Sequence, residues 1–104
     1  MIIATTAQIE GKTITQTIGM VKGSTIRARN VGRDIVAGLR GLVGGEITEY
    51  TKMMAEARES ALQRMVADAE SKGANAIVSM RFGTSMVMQN AAEVIAYGTA
   101  VVVE

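Results

Sequence analysis

The chain has 104 residues and a formal net charge of +1, with no Cys, no His, no Trp, one Phe and two Tyr. Disulfides, thiolate nucleophiles, thiolate metal ligands and imidazole bases or ligands are therefore excluded together. Near-neutral charge gives no global attraction to nucleic acid or to an anionic membrane surface.

A chain of this length buries roughly two thirds of its unfolded surface, which suffices for one core, and residues 1-104 read as one domain. With so few aromatics, that core is built from Ile, Val, Leu, Ala and the eight Met. The opening Met1-Ile2-Ile3-Ala4 is too short for a secretory signal, and no run reaches the ~18 apolar residues that span a bilayer. The expected compartment is the cytoplasm.

In chain order, Met1 to Thr6 is β-prone and Glu10-Gly11-Lys12 supplies a turn. Thr13 to Ile18 alternates Thr and Ile with period two, which predicts a half-buried strand with Ile14 and Ile18 on one face. Gly19 and Gly23 predict a bulge or bend before the strand resumes over Ser24 to Arg29. Asn30 is a suitable N-cap for a short helix over 31-43, where Val31, Ile35, Leu39 and Leu42 fall at helical spacing despite three glycines.

Glu46 to Lys72 carries the one long helical pattern. Ile47, Tyr50, Met54, Ala57, Ala61, Met65 and Ala69 form its apolar stripe, and Lys52/Glu56, Arg64/Asp68 and Asp68/Lys72 are spaced to pair on the opposite side. Gly73 stops it at the C′ position. Ala74 to Phe82 reads as a strand with Ala76, Val78, Met80 and Phe82 inward. Residues 83-92 read as a connection, with Gln89-Asn90 as its turn. The last stretch, Glu93 to Val103, is apolar on both faces and so expects cover on both. One helix covers one face of a small sheet, which makes a second copy of the chain the simplest source of the other cover.

Read together, Gly11-Lys12-Thr13-Ile14 with Gly19 and Gly23, Arg29-Asn30 through Arg33-Asp34, Val43-Gly44-Gly45-Glu46 with Tyr50, Ala57-Arg58, Gly73-Ala74-Asn75-Ala76 and Tyr97-Gly98-Thr99-Ala100-Val101 resemble the YbjQ-like family of bacteria and archaea. The likeness spans nearly the whole chain. It implies an α+β subunit with a small, mostly antiparallel sheet, one long helix and one short helix, of the kind grouped with dodecin-like folds. It also implies a homopentamer with strands contributed between neighbours. The family carries a heavy-metal-binding label, and membership implies neither an enzyme nor a cofactor.

The chemistry open to the chain is narrow. Soft metals favour thiolate or imidazole, so a metal would have to use carboxylates, with Asp34, Glu46 and Glu49 as the candidates, or thioethers, with Met80, Met86 and Met88. The spacing of the carboxylates matches no known loop. An M-x-M pair on a strand places both sulfurs on one side, but Met also fills irregular gaps in a core short of aromatics, which is the more economical account.

The Gly44-Gly45 pair opens the long helix with free N-H groups at a positive dipole end, a candidate anion site, and Arg27, Arg29, Arg33 and Arg40 lie upstream. Glu46 competes as an internal anion, which would make the region a structural joint or a subunit salt bridge. The candidate ligand residues are thus Arg27, Arg33, Asp34, Gly44, Gly45 and Glu46. The lack of stacking aromatics and the near-zero charge argue against nucleic acid. Three functions follow in order of expectation: a homo-oligomer binding a small anion or metal at subunit junctions, a ligand-free scaffold, and a weak carboxylate enzyme.

Overall fold

The computed structural model describes residues 1-28, 48-88 and 91-104. In chain order the elements are β1 (Ile2–Ile3), β2 (Ile14–Ala28), α1 (Thr48–Ser71), β3 (Ala76–Met88) and β4 (Ala91–Val103). The four strands form one sheet in the order β1-β3-β4-β2. β4 runs antiparallel to both β2 and β3, while β1 pairs parallel with β3. The α+β class holds, and the sheet is mixed rather than purely antiparallel. The short helix predicted over 31-43 lies outside the described residues.

α1 matches its sequence pattern. Ala57, Ala61, Met65 and Ala69 are fully buried, and Met54 packs against them with Val21, Ile77, Met80, Val94, Ala96 and Ala100 of the sheet. Small alanines let the helix axis come close, and Gly23 of β2 lies directly beneath it. A Cβ at Gly23 would collide with the Ala61 carbonyl oxygen and the Met65 nitrogen and would lie 2.6 Å from the Arg64 Cβ. Gly23 is therefore a contact glycine rather than the bend expected for it. Gly19, with φ of 138° beside a register shift between Thr17 and Gly19, is the bulge.

The helix also closes the outer edge of β2. The Asp68 carboxylate accepts the Lys22 backbone N-H at 3.2 Å, and the Arg64 guanidinium donates to the Ser24 carbonyl. Asp68 pairs with Lys72 at 3.3 Å as the four-residue spacing predicts. At the C-terminus, Gly73 has φ of 85° and donates to the Glu70 carbonyl at 3.1 Å, while Ala74 donates to Ala69 at 3.1 Å. These two bonds form a Schellman motif, the physical reason for a glycine there.

Three strand readings need correction. Ile14 and Ile18 do not share a face: two register shifts in β2 send Ile14 to a cluster with Ala76, Val78, Val101 and Val103, and Ile18 to the helix side. In β3, Ala76 and Val78 belong to that second cluster while Ile77 and Met80 face the helix, because an extra residue at Ser79, φ 54°, breaks the alternation. And residues 83-88 and 91-92 are strand rather than connection, since β3 continues to Met88 and β4 begins at Ala91; the Gln89-Asn90 turn lies outside the described residues.

β4 is apolar on both faces because it is the central strand. The helix covers one face. On the lower part of the other, Ile9 and Ile14 pack on Ala76, Val78, Val101 and Val103, so the N-terminal segment supplies part of the cover that the sequence assigned to a second copy. Glu10 and Gly11 form the turn that folds this segment back, with Gly11 at φ 76° and the Lys12 N-H donating to Ile9 at 3.1 Å. Asn75 ties the lower end together: its side chain exchanges hydrogen bonds with the Val103 N-H and carbonyl at 2.8 and 2.9 Å.

Candidate functional site

Above this doubly covered base, residues 20-28, 80-88 and 91-99 continue as a three-stranded blade. Its surface is unusually apolar for a free edge: Met86 is 79% exposed, Met88 66%, Ile26 61% and Phe82 44%. Single exposed apolar side chains are ordinary, but here they gather on one projecting element. No described strand lies beside β3 past its pairing with β1 at Ala76 and Ile77; the Ser79 and Met80 N-H groups still donate to Thr6 and Ala4, and the edge from Phe82 to Met88 continues beyond them. The Cα radius of gyration is 17.1 Å with a long extent of 53 Å. A compact chain of this length has a radius of about 13 Å.

Of the residues proposed from sequence for anion binding, Arg27 is placed near the tip of β2, opposite Ala92 of β4. It is half-buried on the helix side, and its Nε is buried with no hydrogen-bond partner among the described residues. The Thr25 hydroxyl, two residues before it on the same face, is in the same state. Such groups each cost about 1–3 kcal/mol when left unpaired, so this end of β2 calls for an acceptor. Arg33, Asp34, Gly44, Gly45 and Glu46 lie outside the described residues, and so do Arg29 and Arg40. Glu49 falls in the first turn of α1.

The thioethers do not assemble. Met80 is buried in the core at 6% exposure, and six strand residues, about 20 Å, separate it from Met86. Nor do Met86 and Met88 share a side: a register shift between them pairs Met86 with Ala92 and Met88 with Ala91, neighbours on opposite faces of β4. The extra residue defeats the spacing argument. Among the described residues no three Asp or Glu gather to hold a metal ion. Thiolate and imidazole are missing from the whole chain, so the donors described here do not fit a soft heavy metal. No helix among the described residues is long and apolar enough to cross a membrane.

Sequence reasoning missed the blade, because the run Phe82 to Met88 mixes Gly, Thr and Ser with Met and so lacks the alternation that marks a strand. It also missed the row that pairing creates across the open face, Lys22 opposite Tyr97 and Tyr97 opposite Arg81. No sequence signal shows that row, since it depends on the extra residue at Ser79.

The comparisons agree with this fold. A family model described as "Putative heavy-metal-binding", YbjQ, matches residues 1–104. A UPF0145 protein of Methanosarcina acetivorans is 64% identical over 97% of this chain and 95% of its own length. Another, from Dehalococcoides mccartyi, is 60% identical over the full length of both chains. Among solved structures, a protein of unknown function from Pediococcus pentosaceus, assigned to the DUF74 family, superposes with a TM-score of 0.64 at 18% identity. That alignment covers 100% of this chain and 98% of the other, and it speaks to the fold alone.

Proposed function

The chain belongs to the YbjQ family, and from that premise we propose that it acts as a cytoplasmic homo-oligomer, a pentamer sharing strands between dodecin-like subunits, that binds a small anionic ligand at its subunit junctions without catalysing a reaction. One observation carries the reading: the blade projects an apolar β3 edge, unpaired among the described residues, from a chain whose radius of gyration, 17.1 Å, is well above that of a compact monomer. A second copy that docks on the blade removes exposed Met, Phe and Val from water and pairs the open backbone. Two edges of different character, β3 bare and β2 partly closed by Arg64 and Asp68, favour head-to-tail contacts, which close into a ring.

The anionic ligand is inferred from the unpartnered Arg27 Nε and Thr25 hydroxyl at the tip of β2. A half-buried guanidinium whose Nε has no partner among the described residues suits a carboxylate or phosphate oxygen, or an acidic side chain of the next subunit. Size-exclusion chromatography with light scattering, followed by native mass spectrometry, tests the assembly. A mass near five chains is expected. A monomer at micromolar concentration ends the oligomer reading, and a bare oligomer that takes up no phosphate or carboxylate compound ends the ligand reading.

A further inference from the structure

We propose that Lys22, Tyr97 and Arg81 form a second site, one that binds the phosphate group of a small molecule on the sheet face opposite the helix. It goes beyond the junction site, because all three side chains belong to one subunit. The register sets them in one row across three strands, Lys22 opposite Tyr97 and Tyr97 opposite Arg81. All three are exposed. Directly paired residues point to the same side of a sheet, and two strand spacings put the outer backbones about 9.5 Å apart. Lys22 is long enough to reach in over the phenol, and the Arg81 guanidinium flanks it from the β1 side. The row then offers an ammonium, a guanidinium and a hydroxyl to one group of oxygens, the donor set that phosphate takes.

Two features distinguish this row from a chance surface arrangement. First, Arg81 reaches this face only because the chain carries an extra residue at Ser79, held at φ 54°; unbroken alternation from Val78 would put Arg81 on the helix side. Bulges that re-aim a side chain, and non-glycine residues held at positive φ, concentrate at functional sites. Second, the guanidinium is held in place: one of its terminal nitrogens donates to the Thr5 and Met80 carbonyls, each at 2.8 Å, which fixes it on the β1 side of the row with its other two nitrogens bonded to no described residue.

Neither cation is neutralised by a described carboxylate. Among the described residues no carboxylate is paired with Lys22 or Arg81, and Asp68, which accepts the Lys22 backbone N-H, is engaged with Lys72. Glu93 shares the open face but lies four residues along β4, about 13 Å away, beyond a Debye length at physiological salt. Among the described residues the two positive charges therefore act on an incoming anion largely uncompensated.

The test is titration of the full chain with inorganic phosphate, and separately with a nucleoside monophosphate, by calorimetry and phosphorus NMR at constant ionic strength set with chloride. Saturable binding is expected, weakened about tenfold in Lys22→Gln, which removes a charge-assisted hydrogen bond, and severalfold in Tyr97→Phe. Equal affinity for the two compounds identifies the phosphate group alone as the ligand; tighter binding of the monophosphate extends the site to a phosphate ester. Absence of saturable binding to either compound overturns the proposal, as does unchanged affinity in both variants. Light scattering on the same samples separates this outcome from the assembly reading: Lys22→Gln is expected to keep the wild-type mass while losing phosphate.

Discussion

Replacing Gly23 by Ala tests how the helix is seated. The added Cβ meets helix backbone at Ala61 and Met65 and lies 2.6 Å from the Arg64 Cβ, where ordinary contacts begin near 3.4 Å. No flexible side-chain end is available to swing away, so α1 must withdraw by about an ångström. Overpacking of this kind costs about 1–3 kcal/mol. Withdrawal also strains the two bonds from the helix to the β2 edge, Asp68 to the Lys22 N-H and Arg64 to the Ser24 carbonyl, each worth about 1–2 kcal/mol because one partner is charged. With about half of each bond lost, the total is about 2–5 kcal/mol, a large part of the 5–15 kcal/mol that small domains possess. Urea unfolding at fixed protein concentration reads it as a lower midpoint with an unchanged slope. Gly83→Ala is the control, because its Cβ would meet only the Ile95 Cγ2 methyl, at 3.1 Å, and no backbone. If Gly23→Ala and Gly83→Ala lower stability equally, or Gly23→Ala by less than about 0.5 kcal/mol, the close crossing of helix and strand is wrong.

Asn75→Ala removes both side-chain bonds to Val103 and leaves partly buried backbone groups unpaired, for an expected loss of about 2–3 kcal/mol by the same unfolding measurement. Gly73→Ala meets open space but must hold φ of 85°, so a loss of about 1 kcal/mol is expected without change of fold by circular dichroism. Ser79→Val, a β-branched residue at φ 54°, is expected to lower the thermal midpoint by several degrees and to weaken phosphate binding at the Lys22-Tyr97-Arg81 row. Met86→Lys with Met88→Lys, both on the exposed part of β3, is expected to lower the assembled mass in light scattering while leaving the far-ultraviolet spectrum intact.

The long helix was legible because its stripe needs only local periodicity: Met54, Ala57, Ala61, Met65 and Ala69 were read from sequence, and all pack on the sheet. Its end was legible for the same reason, since Gly73 is required by the local chain conformation. The strands were less so. Period-two arguments assume an unbroken ladder, and β2 and β3 are interrupted by register shifts, each of which moves every later side chain to the other face. That single physical cause accounts for the misplacement of Ile14 relative to Ile18, of Ala76 and Val78 relative to Met80, and of Met86 relative to Met88. Gly23 was legible as special but not as what it is, because a glycine beneath a helix and a glycine at a bulge look alike until the helix is placed. Of the candidate ligand residues, Arg27 alone falls among the described residues, so the joint at Gly44-Gly45-Glu46 stays a reading of the sequence.

The same interruptions shape what the blade presents. A perfectly alternating β3 would carry Arg81 to the helix side, away from Tyr97 and Lys22, and would place Met86 and Met88 on one side. The extra residue at Ser79 instead brings Arg81 out beside Tyr97 and leaves Met80 and Phe82 on the helix side. A second irregularity, between Met86 and Met88, parts the two sulfurs. Both act against a thioether metal site and in favour of a polar row on one face with apolar side chains along the edge. A chain without thiolate or imidazole has little to offer a soft metal, whereas arginine, lysine and tyrosine in register across three strands have a direct use for oxyanions. In the proposed reading, one subunit's face recognises an anion and its edge recognises another subunit.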